Sequence, residues 1–204
     1  MKNKFLLFFT LFFICGVCSA QEEKKIFVID DFEGEIISGP AGTIDIDAGG
    51  GSSVEVSADN TEKKSGQQSL KIVYDAVSGG YIRVARGYDL DVKGAARWLI
   101  EPEKINWDSY AAISFAMLGT GSGAKIAFDI KDANSQIFRF MVIDDSQTWK
   151  TVVCPFDQFS AIGQPQNAGT DVTLVFPIKS FQFEPVAISK DMINVDEVAL
   201  EPLN

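Results

Sequence analysis

Charged, amide and aromatic side chains recur at alternate positions in several short segments, and they are the chain's best candidates for chemistry. In the segment 81–84, Tyr81 and Arg83 fall on one face, while the apolar Ile82 and Val84 fall on the other. The set chosen by this reasoning is Tyr81, Arg83, Asp129, Arg139, Gln182 and Glu184. A planar ring beside a few fixed hydrogen-bonding groups suits recognition of a sugar. An ordinary solvated sheet face carries the same residue types, so both interpretations stay open.

Catalysis has few candidate groups in this sequence. Histidine is absent, which removes Ser-His-Asp and Cys-His nucleophile systems and every histidine-based zinc site. Asp129 and Glu184 would suit glycan cleavage only if their carboxyl groups lay about 5–5.5 Å apart (retaining) or roughly 6.5–9.5 Å apart (inverting). No motif around these two acids supports that chemistry. We therefore expect a binding protein that is not an enzyme.

The segments that must position these residues have the pattern of β-strands. Apolar and polar residues alternate in segments 69–74, 81–84, 111–117, 125–130 and 179–184, and we expect further strands at 136–143, 149–154 and 193–200. Clusters of Gly, Asp, Asn and Ser separate them, as turns require. Residues 87–109 are expected to form a long connection with a short helical turn, and residues 157–171 a long loop. The pattern predicts an all-β fold, a two-sheet antiparallel β-sandwich forming a single domain over residues 26–204.

The N-terminus has the layout of an export signal. Two lysines precede an apolar run from Phe5 to Val17, and small residues follow as far as Ala20. We expect residues 1–20 to be a cleaved signal peptide and residues 21–25 a flexible leader, which would make the mature protein secreted or periplasmic. The alternative is a lipoprotein, acylated on one of the two cysteines near the end of the run.

Composition restricts the partners. A formal net charge of −10 repels phosphate backbones, so nucleic acid and anionic membranes are not expected as partners. No stretch after Ala20 approaches the ~20 apolar residues of a membrane span. Cys154 is the one cysteine that would survive cleavage, so no intramolecular disulfide is expected. Its apolar neighbours in segment 151–156 indicate a buried, unreactive side chain.

Five phrases occur in an order that resembles a known superfamily, over nearly the whole chain after the signal peptide. They are DDFEG (30–34), KSGQQSLKI (64–72), WDSY (107–110), WKTV (149–152) and VDEVAL (195–200). In this order they resemble the galactose-binding-like β-jelly rolls, nearest the family 11 type carbohydrate-binding modules and the complex I intermediate-associated protein 30 domains. The resemblance implies a jelly roll that binds a poly- or oligosaccharide on one sheet face without cleaving it. The alternative that it implies is an envelope or assembly factor with a protein partner.

The resemblance also implies a structural calcium ion that joins the two ends of the domain. Carried over to this sequence, its ligands are the carboxylates of Glu33 and Asp196 and the backbone carbonyls of Lys64 and Gly66. Calcium binds six to eight hard oxygen atoms, which carboxylates and carbonyls supply. Without calcium, the two acids are simply exposed residues at strand ends.

The three tryptophans are also candidates for stacking on a sugar. Trp107 and Trp149 stand at expected strand entrances, where we expect core positions. Trp98 lies in the irregular connection, so we expect it to be the most exposed of the three and a secondary ligand-binding candidate.

Overall fold

Twelve strands build the domain over the residues that the structure describes. This structure is a computed structural model, and it describes residues 25–163, 172–186 and 188–203, so the predicted signal peptide and residues 21–24 of the leader lie outside it. In chain order, the strands are β1 (Phe27–Asp30), β2 (Asp45–Gly49), β3 (Ser53–Asp59), β4 (Ser69–Ala76), β5 (Tyr81–Gly87), β6 (Tyr110–Leu118), β7 (Lys125–Lys131), β8 (Ile137–Ile143), β9 (Lys150–Pro155), β10 (Ser160–Ala161), β11 (Ser180–Pro185) and β12 (Ser189–Pro202). Single 3-10 turns cover Lys93–Ala95, Pro102–Lys104, Trp107–Ser109 and Phe156–Gln158.

The strands form two sheets that pack face to face. The back sheet has the order β3-β4-β12-β6-β9, with β1 also paired to β12, and the front sheet has the order β10-β8-β7-β11-β5-β2. Neighbouring strands are antiparallel in both sheets. The prediction of an all-β, two-sheet antiparallel sandwich is confirmed.

Alternating side chains bury one face of each sheet in a shared core. On β7, Ile126, Phe128 and Ile130 are buried toward the back sheet. Phe115 of β6 meets Phe128 with ring centroids 4.7 Å apart. Burying each such side chain contributes roughly 1.5–3 kcal/mol relative to leaving it exposed. The alternation that fills this core also turns every second residue of the front sheet outward.

The long connection between β5 and β6 folds back onto the core. The backbone N–H of Leu99 donates a hydrogen bond to the carbonyl of Ile29, at 2.7 Å. This hydrogen bond holds the connection against the end of β1, and the neighbouring Trp98 packs into the core. Its ring stacks on Phe181 with centroids 5.8 Å apart and planes at 12°. Trp98 is only 6% exposed, so the expectation that it is the most exposed of the three tryptophans is wrong. An irregular backbone does not imply an exposed side chain when the loop packs against a sheet.

The other two tryptophans differ from each other. Trp107 is buried, and its indole N–H donates to the carbonyl of Pro102 at 2.9 Å, which confirms its expected core position. Trp149 is only partly buried, so the same expectation is wrong for it. Cys154 is buried, as its apolar neighbours indicate.

None of the helical turns in residues 25–163, 172–186 and 188–203 has the length and apolarity needed to cross a bilayer.

Candidate functional site

The strands that carry the six candidate residues are consecutive neighbours in the front sheet. β8, β7, β11 and β5 lie side by side, so the candidate side chains from four separate segments share one sheet. Asp129 is directly opposite Arg139 on one side and Gln182 on the other. The alternation places these side chains on the outward face, away from the core.

Arg139 is the centre of a charged network on this face. Its Nε donates to Asp129 Oδ1 at 2.8 Å, and its Nη2 donates to Asp129 Oδ2 at 2.7 Å. The same Nη2 donates to Glu184. Gln182 Nε2 adds a hydrogen bond to Asp129 Oδ2 at 3.1 Å. Two parallel bonds between a guanidinium and a carboxylate fix the plane of the guanidinium as well as its position.

Burial and charge change the pKa values of two groups in this network. Hydrogen bonding to Asp129 is the main reason why the pKa of Arg139 is raised above its ordinary value. Burial raises the pKa of Glu184, an effect that the charge of Arg139 opposes. Asp129 is 0% exposed, and both of its oxygens accept hydrogen bonds. Arg139, Glu184 and Gln182 retain part of their surface, so a ligand can reach these three members of the network but not Asp129.

Tyr81 supplies an aromatic surface at the end of β5. It is 49% exposed, and its hydroxyl lies 3.4 Å from Asp47 Oδ1. Its register partner on β2 is Gly49. A glycine opposite the tyrosine leaves room for the ring to lie close to the sheet.

Arg83 also lies on the outward face of β5, but it forms an ion pair with Asp45 and is not part of the Arg139 network. Its Nη2 lies 3.2 Å from Asp45 Oδ1. The other oxygen of Asp45 accepts the backbone N–H of Asp91 at 3.0 Å. The sequence reasoning missed Asp45, although its position on an alternating strand was a usable signal.

A cleft of about 410 Å³ lies at the Tyr81 end of the front sheet. Of the six candidates, Tyr81, Arg139 and Glu184 line it, while Asp129, Gln182 and Arg83 do not. The remaining lining residues are Ala76, Val77, Ser78, Gly79, Gly80, Pro185, Val186 and Ile188. The sequence predicts only a turn at Ser78-Gly79-Gly80. Whether this turn lines a cleft depends on which strand ends lie beside it, and that is a property of the tertiary structure.

The acidic residues of the implied calcium site do meet at one loop. Asp196 Oδ2 accepts the backbone N–H of Lys64 at 2.9 Å and that of Ser65 at 3.1 Å. Glu33 Oε1 accepts the backbone N–H of Gln67 at 2.8 Å. Gly66 lies against Glu33 so closely that a Cβ there would be 2.0 Å from Glu33 Oε1. Residues far apart in the sequence thus join the segment that follows β1, the loop 64–68 and β12.

The donor set fits calcium in part. The two carboxylates are hard oxygen ligands. Burial raises the pKa of Asp196 because it disfavours the charged form, and a bound cation would stabilise that charged form. The contacts from the loop, however, are backbone N–H groups that donate to the carboxylates. In the described part of the chain, no group of three or more His, Cys, Asp or Glu side chains is arranged to hold a metal. A calcium ion would need the carbonyls of Lys64 and Gly66 to complete its shell.

Taken together, a β-sandwich with an outward polar face, an exposed tyrosine and a cleft defines a ligand-binding module. The sequence pattern of the carbohydrate binding domain of family 11 matches residues 18–201. The chain therefore belongs to family 11 of the carbohydrate-binding domains and is a carbohydrate-binding module. The family is one of binding domains without catalytic activity.

Solved structures support the same fold. The family 11 module of a cellulosomal cellulase from Clostridium thermocellum is 18% identical, covers 88% of this chain and 95% of its own, and has a TM-score of 0.61. A module of that family from the same organism, in complex with a β-1,3-1,4-mixed-linked tetrasaccharide, is 21% identical over 87% and 95% of the two chains, with a TM-score of 0.61. A β-1,2-glucanase from Parabacteroides distasonis is 12% identical over 88% of this chain and 25% of its own, with a TM-score of 0.55. No curated protein matches the chain significantly.

Proposed function

We propose that the outward face of the front sheet binds a poly- or oligosaccharide, which enters the cleft between Tyr81 and the Arg139 network. The observation that carries this proposal is the cleft itself, which combines a half-exposed aromatic ring with Arg139 and Glu184. A sugar ring has an apolar C–H face and a rim of hydroxyl groups. A tyrosine ring matches the face, and fixed donors and acceptors match the rim.

Each group in the cleft has a role in this proposal. The ring of Tyr81 contacts a face of one sugar unit. Arg139 donates to a hydroxyl oxygen, and Glu184 accepts from a hydroxyl group. Asp129 accepts two hydrogen bonds from Arg139 and holds its guanidinium in place, while Gln182 donates to the same carboxylate. Preorganised polar groups bind more tightly because their ordering cost has already been met in folding.

A glycan array with residues 21–204 tests the proposal. We expect specific binding to at least one neutral glycan, with a loss of about tenfold or more in Tyr81→Ala and in Arg139→Gln. Met192→Ala is the matched control, because this exposed residue lies on the back sheet. A folded protein that binds no glycan on the array would contradict the proposal.

We also propose that this chain does not cleave the glycan that it binds. Hydrolysis by Asp129 and Glu184 would need two carboxyl groups that flank the scissile bond. Both instead hydrogen-bond to the same guanidinium, and Asp129 is fully buried. Release of reducing ends from a bound polysaccharide, lost in Glu184→Gln, would contradict this proposal.

A protein partner is a second candidate, favoured by apolar side chains near the polar network. Met141 and Ile143 are exposed on β8, and Val186 and Ile188 line the cleft. Such side chains suit a protein surface better than a sugar hydroxyl. Charge favours a basic partner, since the chain has a formal net charge of −10. A blank glycan array combined with crosslinking to an envelope protein, lost in Met141→Asp, would favour this candidate.

We propose that a calcium ion at Glu33 and Asp196 stabilises the domain without contacting the glycan. Its partners join β12 and the loop before β4, far along the chain from each other. We expect EDTA to lower the melting temperature, added calcium to restore it, and Asp196→Asn to abolish the calcium effect. A melting temperature that does not respond to chelator would exclude the ion.

We propose that the protein is exported through cleavage after Ala20, to the periplasm or the cell exterior. The support is the run of apolar residues between two lysines and a small-residue cleavage site. Intact mass of the protein from its native host tests this, since cleavage leaves a chain beginning at Gln21. An uncleaved or lipid-modified mass would contradict it.

A further inference from the structure

Gly49 lies under the aromatic ring that the proposed sugar site depends on. It is the register partner of Tyr81 across β2 and β5. A Cβ built on Gly49 would lie 2.7 Å from Tyr81 Cε1 and 2.8 Å from both Cζ and Oη. Carbon atoms in contact normally stay about 3.5–4.0 Å apart. The ring therefore occupies space that any side chain at position 49 would take.

Steric conflict with the ring is the obstacle to a side chain at this position. The φ of Gly49 lies outside the left-handed region, so its backbone conformation is one that alanine also adopts. The three atoms nearest to its Cβ all belong to the Tyr81 side chain. Replacement by alanine thus forces either the ring or the backbone of β2 to move.

The backbone near Gly49 has little freedom to withdraw. The next residue, Gly50, has φ +64 and approaches the turn 77–80 so closely that a Cβ there would lie 2.8 Å from the Gly79 carbonyl oxygen. Ser52 Oγ accepts the backbone N–H of Val77 at 3.1 Å, which ties the two turns together. Tyr81, in contrast, is half exposed and rotates about its side-chain bonds at low cost. The ring is the part that yields.

We propose that Gly49 is a positioning residue for the glycan site, because its missing side chain lets the Tyr81 ring lie against the sheet at the mouth of the cleft. This inference rests on the proposed function and adds the residue that sets the height and tilt of the aromatic surface. A residue larger than glycine lifts the ring, which changes both its stacking face and its distance from Arg139 and Glu184. Gly49 touches no ligand in this scheme and acts only through Tyr81.

A double-mutant cycle on residues 21–204 tests this role. Affinity for the best glycan on the array is measured by calorimetry for the wild type, Gly49→Ala, Tyr81→Ala and the double variant. We expect Gly49→Ala to weaken binding roughly three- to tenfold, which does not exceed the loss in Tyr81→Ala. In the Tyr81→Ala background, we expect the same replacement to change affinity less than about twofold. Gly34→Ala is the matched control, because a Cβ there meets nothing within 4 Å and its φ is ordinary.

Two further readouts separate positioning from a general structural effect. The melting temperature of Gly49→Ala should stay close to that of Gly34→Ala, since an exposed ring can rotate away. In NMR spectra without glycan, contacts between the Tyr81 ring protons and the α-protons of residue 49 should be present in the wild type and absent in Gly49→Ala.

The outcomes are distinguishable. Wild-type affinity in Gly49→Ala, together with a loss in Tyr81→Ala, would overturn the positioning role and leave the sugar site standing. Equal losses from Gly49→Ala with and without Tyr81 would also overturn it. If the wild type bound no glycan, the proposed function would fail and the positioning role with it, while the NMR contacts would still report whether the ring rests on Gly49.

Discussion

Arg139 holds Asp129 through two parallel hydrogen bonds, Nε to Oδ1 at 2.8 Å and Nη2 to Oδ2 at 2.7 Å. The two residues face each other across β7 and β8, and Asp129 is fully buried. The carboxylate therefore depends on Arg139 for most of the compensation of its charge. The pair is at once a structural element of the front sheet and the support for the polar side of the cleft.

Removal of Arg139 should cost stability as well as binding. Arg139→Ala leaves the buried Asp129 carboxylate without its cation, and we expect the free energy of unfolding to fall by about 3 kcal/mol. This is the lower end of the range for buried pairs, because Arg139 keeps part of its surface. Chemical denaturation measures the change. Lys150→Ala, which breaks an exposed pair with Asp145, should cost far less stability, and equal losses in the two variants would contradict this expectation.

Asp30 should make stability fall as the pH rises through the weakly acidic range. Burial raises the pKa of Asp30 from 3.8 to about 6, despite the opposing charge of Arg86. The folded state therefore holds this proton more tightly than the unfolded state does. The free energy of unfolding then decreases between about pH 4 and pH 6, by at most about 3 kcal/mol from this group.

Asp30→Asn isolates this effect, because asparagine keeps the shape and removes the titration. The difference in stability between the wild type and the variant, measured by denaturation from pH 4 to pH 7, should change across this window. Asparagine resembles the protonated carboxyl, so the variant should gain stability relative to the wild type as the pH rises through this window, even though Arg86, 2.8 Å from Asp30, loses its counter-charge. A difference that is constant with pH would contradict the raised pKa.

Trp98→Ala should destabilise the fold and leave glycan affinity unchanged. The ring stacks on Phe181 and also meets Tyr88 edge-on at 6.1 Å, so its loss opens a cavity that we expect to cost about 3–5 kcal/mol. Denaturation gives the stability, and calorimetry at a temperature where the variant is folded gives the affinity. Trp149→Ala is the control and should cost less, because Trp149 is only partly buried. Lost affinity with intact stability would make Trp98 a ligand contact after all.

Cys154 should be inert in the native protein. Burial raises the pKa of its thiol well above the ordinary value, so the reactive thiolate is scarce, and the sulfur is inaccessible. We expect no reaction of residues 21–204 with Ellman's reagent in buffer and complete reaction in guanidinium chloride. Rapid labelling of the folded protein would show that β9 opens locally.

Local patterns predicted much of this molecule because each strand carries its own two-residue period. Ile126, Phe128 and Ile130 face the core as the alternation indicated. Asp129 and Arg139 lie on the two strands of one hairpin, with the turn at 132–135 midway between them. Their pairing across β7 and β8 is therefore also a local feature of the sequence. The approach of Glu33 and Asp196 to one loop was implied by the family resemblance and not by the alternation within any strand.

The sequence by itself predicted eight of the twelve strands, the direction in which their alternating residues face, and the absence of histidine chemistry. The eight do not include β1, β2, β3 or β10, and β10 lies within the expected loop 157–171. Only the tertiary structure decided that β11 lies between β5 and β7, which brings Gln182 to Asp129 and Glu184 to Arg139. It alone also buried Trp98 and placed the Tyr81 ring over Gly49. The reason is physical: the direction of a side chain follows from the local pleat of its own strand. The order of strands, by contrast, depends on how two whole sheets bury their apolar faces against each other.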